Sequence, residues 1–232
     1  MIGSLKEFSP RAGRAQPPEE TGPALELDSD FGRLDGPALD LLERRYGERG
    51  LQTRRESFSS RSEDRDVTCS VRDGDRLLGT LGVRFDGPGG LHADLLFGQE
   101  LADWRESGVR LCEFGRLAVD RHAHDARRLL AQLFHLGYLH AYRRARCDRL
   151  VIEVNPRHVA FYRRWLGLLP YTTARHNPRV NAPAVLMSID LVTVRDQIAL
   201  WGGRPDELAA ARCLYPLAWD EATEASMLAK LP

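Results

Sequence analysis

The fold is decided by the stretch Leu111–Leu168. It opens with Leu111-Cys112-Glu113-Phe114-Gly115-Arg116-Leu117-Ala118-Val119-Asp120 and returns, after an arginine-rich amphipathic run, in Leu150-Val151-Ile152-Glu153-Val154. It closes with Asn155-Pro156-Arg157-His158-Val159-Ala160-Phe161-Tyr162-Arg163-Arg164-Trp165-Leu166-Gly167. The first run has strand character. Between about Asp125 and Arg144, the residues Ala126, Leu129, Leu130, Leu133, Phe134, Gly137 and Ala141 recur at helical spacing and mark one face. Leu150–Val154 is apolar apart from Glu153, as in a central strand covered on both sides. Pro156 opens a helix where its missing N–H costs nothing, and Gly167 ends it. The stretch thus predicts strand, helix, strand, helix, with a carboxylate on the first strand and a tyrosine on the last helix.

Upstream, Pro37 to Tyr46 reads as a helix capped by Asp35 or Gly36 and stopped by Gly47. The polar run to Arg65 reads as a long connection. Asp66–Val71 alternates at period two, Asp73-Gly74-Asp75 turns the chain, and Arg76–Phe85 returns as a hairpin partner. A loop from Leu91 to Gly108 is expected to carry a short helix over Gln99–Glu106. Downstream, Leu168–Tyr171 is expected to start another strand, Arg175–Asn181 reads as loop, and Ala184–Leu191 reads as a strong strand. Thr193–Trp201 is expected to be a helix, followed by one or two short ones. The order predicts an α/β (α+β) domain, a mixed sheet with helices on both faces. The expected division is a flexible leader at 1–25, rich in proline and charge, a domain at 26–204, and a helical extension at 205–232 packed on it.

The 232 residues carry 33 basic and 33 acidic side chains, so bulk charge does not call for a nucleic acid. Lys6 and Lys230 are the only lysines. Arginine bias in the genome accounts for this, with phosphate or carboxylate recognition as the functional alternative. Cys69, Cys112, Cys147 and Cys213 form no C-x-x-C pair and read as reduced and mostly buried. No run approaches the ~18 apolar residues of a membrane span, and no signal-peptide segment is evident at the N-terminus. A cytoplasmic protein is expected.

Regular alternation puts Glu113 and Arg116 on opposite faces of their strand. A bulge near Gly115 would bring them together. A half-buried carboxylate such as Glu113 can take a proton from an amine, because burial raises its pKa. A structural ion pair with Arg116 is the plainer alternative. Tyr162 can protonate a leaving thiolate, or it can be a core aromatic. His122, His124, His135, His140, His158 and His176 lack metal-ligand spacing, so no metal is expected. Neither a G-x-S-x-G nor a Walker-type loop occurs. Arg127, Arg128, Arg143, Arg144 and Arg146 form the densest basic region, either a solvated helix face or a surface for an acidic partner.

Taken together, Cys112–Asp120, Leu129-Leu130 with Leu133-Phe134, Val151–Val159, Phe161–Arg164 with Leu166-Gly167, and Arg179–Leu186 resemble the FeeM-like N-acyl amino acid synthases. These are relatives of the acyl-homoserine lactone synthases within the GNAT superfamily. The likeness runs from about 65 to 191, with a weaker match at Leu41–Tyr46. It implies a GNAT-like sheet splayed between its central strands, threaded by an acylated phosphopantetheine arm. No permanently bound cofactor is implied. The implied donor is a long-chain acyl group on acyl carrier protein, with acyl-CoA as the alternative, and the implied acceptor is the α-amine of an amino acid.

By the same resemblance Glu113 is the base, Arg116 positions substrate, and Tyr162 falls near the general-acid tyrosine. Its distance to Gly167 is one residue longer than the usual Y-x-x-x-G-F spacing. Phe114, Gly115, Leu117, Ala118, Val119, Asn155, His158 and Phe161 would line the donor and substrate path. No glycine stands between Gly115 and Gly137, where acetyl-CoA enzymes carry a glycine-rich pyrophosphate loop. That departure and the arginine-rich helix both favour a carrier-protein donor. Acyl-homoserine lactone synthesis, acetyl-CoA-dependent acetylation and a non-catalytic carrier-protein or lipid-binding module remain as alternatives.

Overall fold

These alternating runs assemble into one mixed sheet in the computed structural model, which describes residues 26–31, 34–51 and 66–231. The strands are β1 (Glu26–Phe31), β2 (Asp66–Asp73), β3 (Arg76–Phe85), β4 (Leu111–Val119) and β5 (Arg149–Val154). They continue with β6 (Leu169–Pro170), β7 (Arg175–Asn177) and β8 (Ala182–Asp190). The order across the sheet is β1-β2-β3-β4-β5-β8-β6, with β7 also paired to β8. Every neighbouring pair is antiparallel except β4 and β5. The helices are α1 (Gly36–Gly47), α2 (Asp94–Glu106), α3 (Ala126–Tyr138), α4 (Val159–Leu166), α5 (Leu191–Trp201), α6 (Leu208–Ala211) and α7 (Glu221–Lys230).

Local chemistry sets the helix starts. The Asp35 carboxylate accepts from Ala38 N at 2.8 Å and Pro37 fills the first turn of α1. Asp125 does the same for Arg128 N at 3.0 Å in α3. Gly167 ends α4 with φ +77°, a left-handed conformation that glycine adopts without a Cβ clash. One sheet face buries Leu81, Phe114 and Ile152 against α3, α4, α5 and the C-terminal segment. The other carries α1 over Leu77, Ala118 and Ala182, and α2 over Leu111, Val151 and Leu186.

Several boundaries differ from the sequence expectation. β1 follows the stretch taken as leader, and its alternation is too polar to announce a strand without the β2 edge beside it. α2 opens with a turn at Asp94, and Phe97, at φ −127° and ψ 26°, breaks that turn from the run after it, which keeps close to the expected Gln99–Glu106. Arg175–Asn177 is a short strand rather than loop. The helical run after Asp125 changes at Leu139 into a π-helical segment, Leu139–Arg144. The C-terminal segment holds two helices and two single turns, where one or two helices were expected. The expected leader at 1–25 lies outside the described residues, as does most of the connection before Arg65.

The C-terminal segment is fastened to the domain by specific bonds. Leu214 N donates to Trp165 O at 2.9 Å, and the Tyr215 hydroxyl donates to Leu166 O at 2.8 Å. Trp219 N donates to Nδ1 of His135 at 3.1 Å. Nε2 of the same ring lies 3.1 Å from Oε2 of Glu224.

α3 approaches β4 closely because residue 137 is glycine. A Cβ there would stand 2.8 Å from the Phe114 ring. Gly137→Ala is therefore expected to destabilise the protein by about 1–3 kcal/mol, since neither the ring nor the helix has room to yield. Urea unfolding checks this, and an unchanged midpoint would contradict it.

Candidate active site

β4 and β5 pair at Leu111–Arg149, Cys112–Leu150 and Glu113–Val151, and then part. From Phe114 to Val119, β4 keeps β3 on one edge and has no strand on the other among the described residues. A bulge turns β4 away. Gly82 faces Gly115 while Thr80 faces Ala118, so β4 carries one extra residue, and Arg116 takes φ +48°. The bulge expected near Gly115 is present, and its strained position is the arginine itself.

The bulge brings Arg116 to the face that carries Glu113. Asp66, Arg84 and Glu113 lie in cross-strand register on that face, and Val151 and Glu153 continue it on β5. Arg116 donates to Asp66 at 2.8 Å, and Arg84 reaches the same carboxylate at 3.4 Å. Gly82 makes this crossing possible, because a Cβ there would stand 2.5 Å from Nε of Arg116.

Glu113 is 3 % exposed. Its Oε2 accepts from His92 N at 2.6 Å and Ala93 N at 3.2 Å, which fastens the start of α2 over the gap. Burial, and then the negative charge of Glu153, push its carboxyl up to about 7, while Arg179 pulls the other way. His92 is held neutral by burial and by Arg179, Arg84 and Arg116 around it, and its Nε2 lies 3.3 Å from Arg84.

Glu153 is 1 % exposed. Asn177 and Arg179 donate to its Oε2 at 2.9 and 2.8 Å, and its Oε1 is buried without a hydrogen-bond partner. An unsatisfied buried polar atom costs about 1–3 kcal/mol, and more when charged.

From the opposite face, α4 sends Tyr162 toward the same gap. The ring is wholly buried beside Phe134 and Phe161, with centroids 6.4 and 5.4 Å away. Its hydroxyl has no hydrogen-bond partner. Burial above all, with Tyr46 adding to it and Arg49 opposing it, raises its pKa well above the usual phenol value, so it keeps its proton. Tyr46 lies in the fields of Arg49, Arg116, Arg179 and Glu153. The end of α1 therefore spans the gap and links the carboxylate side to the tyrosine side.

The remaining expected residues divide. Leu117, Ala118 and Val119 lie on the unpaired part of β4 and are buried, whereas Gly115 is half-buried. Phe114 points into the core on the α3 face, its ring 5.8 Å from Phe134. Asn155 caps the turn before α4 by accepting from Arg157 N at 3.2 Å. His158 is buried in that turn and faces Nε of Arg157 at 3.0 Å. The five arginines do not form one patch. Arg127 and Arg128 stand at the start of α3, where Arg127 lies over the Trp165 ring at 5.4 Å, joined there by Arg164 at 5.7 Å. Arg143 and Arg144 stand at the far end, bound to Glu224 and to the Leu231 carbonyl, and Arg146 follows them.

Sequence reading had not placed Asp66, Arg84, Glu153, Asn177, Arg179, Tyr46 or Arg49 in the site. Glu153 was the one charge in an apolar central strand, which is the signal that could have found it. Among the described residues no group of three or more His, Cys, Asp or Glu side chains is arranged to hold a metal ion. None of their helices is long and apolar enough to cross a membrane.

Residues 37–190 match the family described as N-acyl amino acid synthase FeeM. The chain belongs to the FeeM family. FeeM from uncultured soil microbes is similar in structure, with 25 % identity and a TM-score of 0.67 over 75 % of this chain and 96 % of that one. The acyl-homoserine lactone synthase LasI superposes with a TM-score of 0.51 at 15 % identity, over 73 % of this chain and 91 % of LasI. An acyl-CoA N-acyltransferase from Pseudomonas aeruginosa gives 0.50 at 15 %, over 71 % and 99 %. These two likenesses concern the fold. No curated protein sequence matches. The FeeM-family chain is thus an N-acyltransferase on the GNAT fold, with the splayed mixed sheet and two-sided helical cover that its sequence implied.

Proposed function

We propose that this FeeM-family protein transfers a long-chain fatty acyl group from acyl carrier protein to the α-amine of an amino acid in the cytoplasm. The observation that carries the reading is the gap between β4 and β5. It has a carboxyl pushed up to about 7 on one side, Glu113, and an unpartnered hydroxyl on the other, Tyr162. The acylated phosphopantetheine arm lies in the gap, and the unpaired β4 edge near Gly115–Ala118 offers N–H groups to the thioester oxygen as charge develops on it. Glu113 takes a proton from the ammonium group of the acceptor. The amine nitrogen attacks the thioester carbon, the C–S bond breaks, the leaving thiolate takes the Tyr162 proton, and the second proton shed by the nitrogen as the amide forms restores the tyrosine. Arg116, fixed by Asp66, braces the strand that presents Glu113. Arg127 and Arg128, with Arg164 beside Trp165, give a cationic rim for an acidic carrier protein, and Arg143, Arg144 and Arg146 stand apart from it at the far end of the helical run.

The test incubates the protein with acyl carrier proteins of several chain lengths and the twenty protein amino acids, and seeks N-acyl products by mass spectrometry. Only acetylated products from acetyl-CoA would overturn the donor assignment. No product from any thioester would favour a binding module. Tyr162→Phe is expected to lower kcat by about 10²-fold or more. It should leave the unfolding midpoint unchanged or raised, because the lost hydroxyl bonds to nothing. A loss of stability with intact kcat would remove the acid assignment.

A further inference from the structure

Glu153 is the one side chain of the gap whose placement the reaction above leaves unexplained. Its strand is central and apolar, its side chain is wholly buried, and every other residue of β5 from Leu150 to Val154 is hydrophobic. A carboxylate survives there only with strong partners, and the fold supplies two of them to a single oxygen. Asn177, itself wholly buried, donates to Oε2 at 2.9 Å, and Arg179 donates to it at 2.8 Å. The asymmetry is telling. Oε1 accepts nothing, although a carboxylate oxygen has two lone pairs to satisfy. The β5–β8 register and the Asn177–Arg179 turn hold Glu153 in place, and its second oxygen accepts no hydrogen bond.

Its position fits one kind of ligand group. Glu153 stands two residues beyond Val151, which pairs with Glu113, so both carboxylates share the face where the strands separate. Tyr46 and Arg179 complete the surroundings. A second anion here would be repelled by Glu153, and a neutral donor would make a weaker hydrogen bond to Oε1 than a cationic one. A compact cation with several N–H donors matches Oε1.

We infer that Oε1 of Glu153 is the docking point for the ammonium group of the acceptor, making Glu153 a binding residue that selects primary amines and holds the nitrogen beside Glu113. This rests on the acyl-transfer reading for the identity of the ammonium group. The geometry of the vacant oxygen stands apart from it. Arg179 and Asn177 are positioning residues, since they act by holding Oε2.

Glu153→Gln keeps the shape and removes the charge. For an amino acid that the wild type acylates, the acceptor KM is expected to rise by about 10- to 100-fold, the loss of one charge-assisted hydrogen bond. The donor KM should stay within about twofold, a split that general loosening of the core would not produce. An unchanged acceptor KM, or an equal rise in both constants, overturns the inference. Glu153→Asp, which keeps the charge and shortens its reach, is expected to fall between the two and serves if the glutamine variant does not fold. Here too an unchanged acceptor KM overturns it. A second measurement does not need turnover. n-Butylammonium chloride, against potassium chloride at equal ionic strength, should raise the Tm of the wild type and leave that of Glu153→Gln unmoved. Equal shifts, or none in either protein, overturn the ammonium site. A Glu153-dependent shift without any N-acyl product would instead retain the site and remove the acyl-transfer reading.

Discussion

Glu113→Gln is expected to cut turnover by about 10²–10⁴-fold while making the protein more stable above pH 7. The first effect follows from the role proposed for this carboxyl, acceptor of the amine proton. The second follows from where its proton resides. In the unfolded chain the carboxyl ionises near 4.5, whereas in the folded protein burial and Glu153 push it to about 7. Between these values the folded state holds a proton that the unfolded state has released. Stability therefore falls as pH rises through that window, by up to about 3 kcal/mol. Below about pH 4.5 both states are protonated and the penalty is absent. Above about 7 it is fully present. Glutamine cannot ionise, and its oxygen can still accept from His92 N and Ala93 N. Thermal unfolding of both proteins at pH 5.5 and 8.5 reads the result: the Tm advantage of the variant is expected to be larger at the upper pH than at the lower. A variant that is less stable at pH 8.5, or that turns over normally, would contradict the role given to this carboxyl.

Asp66→Ala is expected to bring the protein close to unfolding. Asp66 is 1 % exposed and is the shared anion of Arg84 and Arg116, both largely buried. Removing one member of a buried ionic group costs about 3–5 kcal/mol, a large part of the 5–15 kcal/mol that holds a typical domain together. Arg116 also occupies the bulge at φ +48°, a conformation disfavoured for a residue with a Cβ and held in place by the Asp66 bond. Losing the anion therefore loosens the bend that opens the sheet. Asp66→Asn, which retains hydrogen-bond acceptance, should lose less. Urea unfolding at neutral pH measures both, and a shift of under about 1 kcal/mol for the alanine variant would show that the arginines find compensation elsewhere.

Much of this architecture was readable in the sequence, and the reasons are specific. Pro37, Pro156 and Gly167 set helix ends through backbone constraints that act within one turn. The Asp66–Phe85 hairpin follows from strict alternation around Asp73-Gly74-Asp75. Glu113 and Arg116 were found because E-x-x-R on a strand demands a bulge if the two are to cooperate. What stayed hidden was long-range. Asp66 looked like the polar first residue of an alternating hairpin strand, and only the β2–β3–β4 register puts it under two guanidiniums. Arg179 lay in a segment without periodicity, so its bond to Glu153 depended on how β7 and β8 fold back. The arginines of α3 looked like one patch because sequence distance compresses what a helix spreads out. Residues 127 and 143 lie about 24 Å apart along its axis.

The three-pair joint between β4 and β5 has a mechanical side. It divides the sheet into two antiparallel panels, β1–β4 and β5–β8, and the panels meet only at the narrow end of the gap. The six unpaired residues Phe114–Val119 form a lever of about 20 Å. A rotation of about 5° at the joint would move the wide end by close to 2 Å. Turning the panels about this joint would change the width of the opening without breaking a hydrogen bond within either panel.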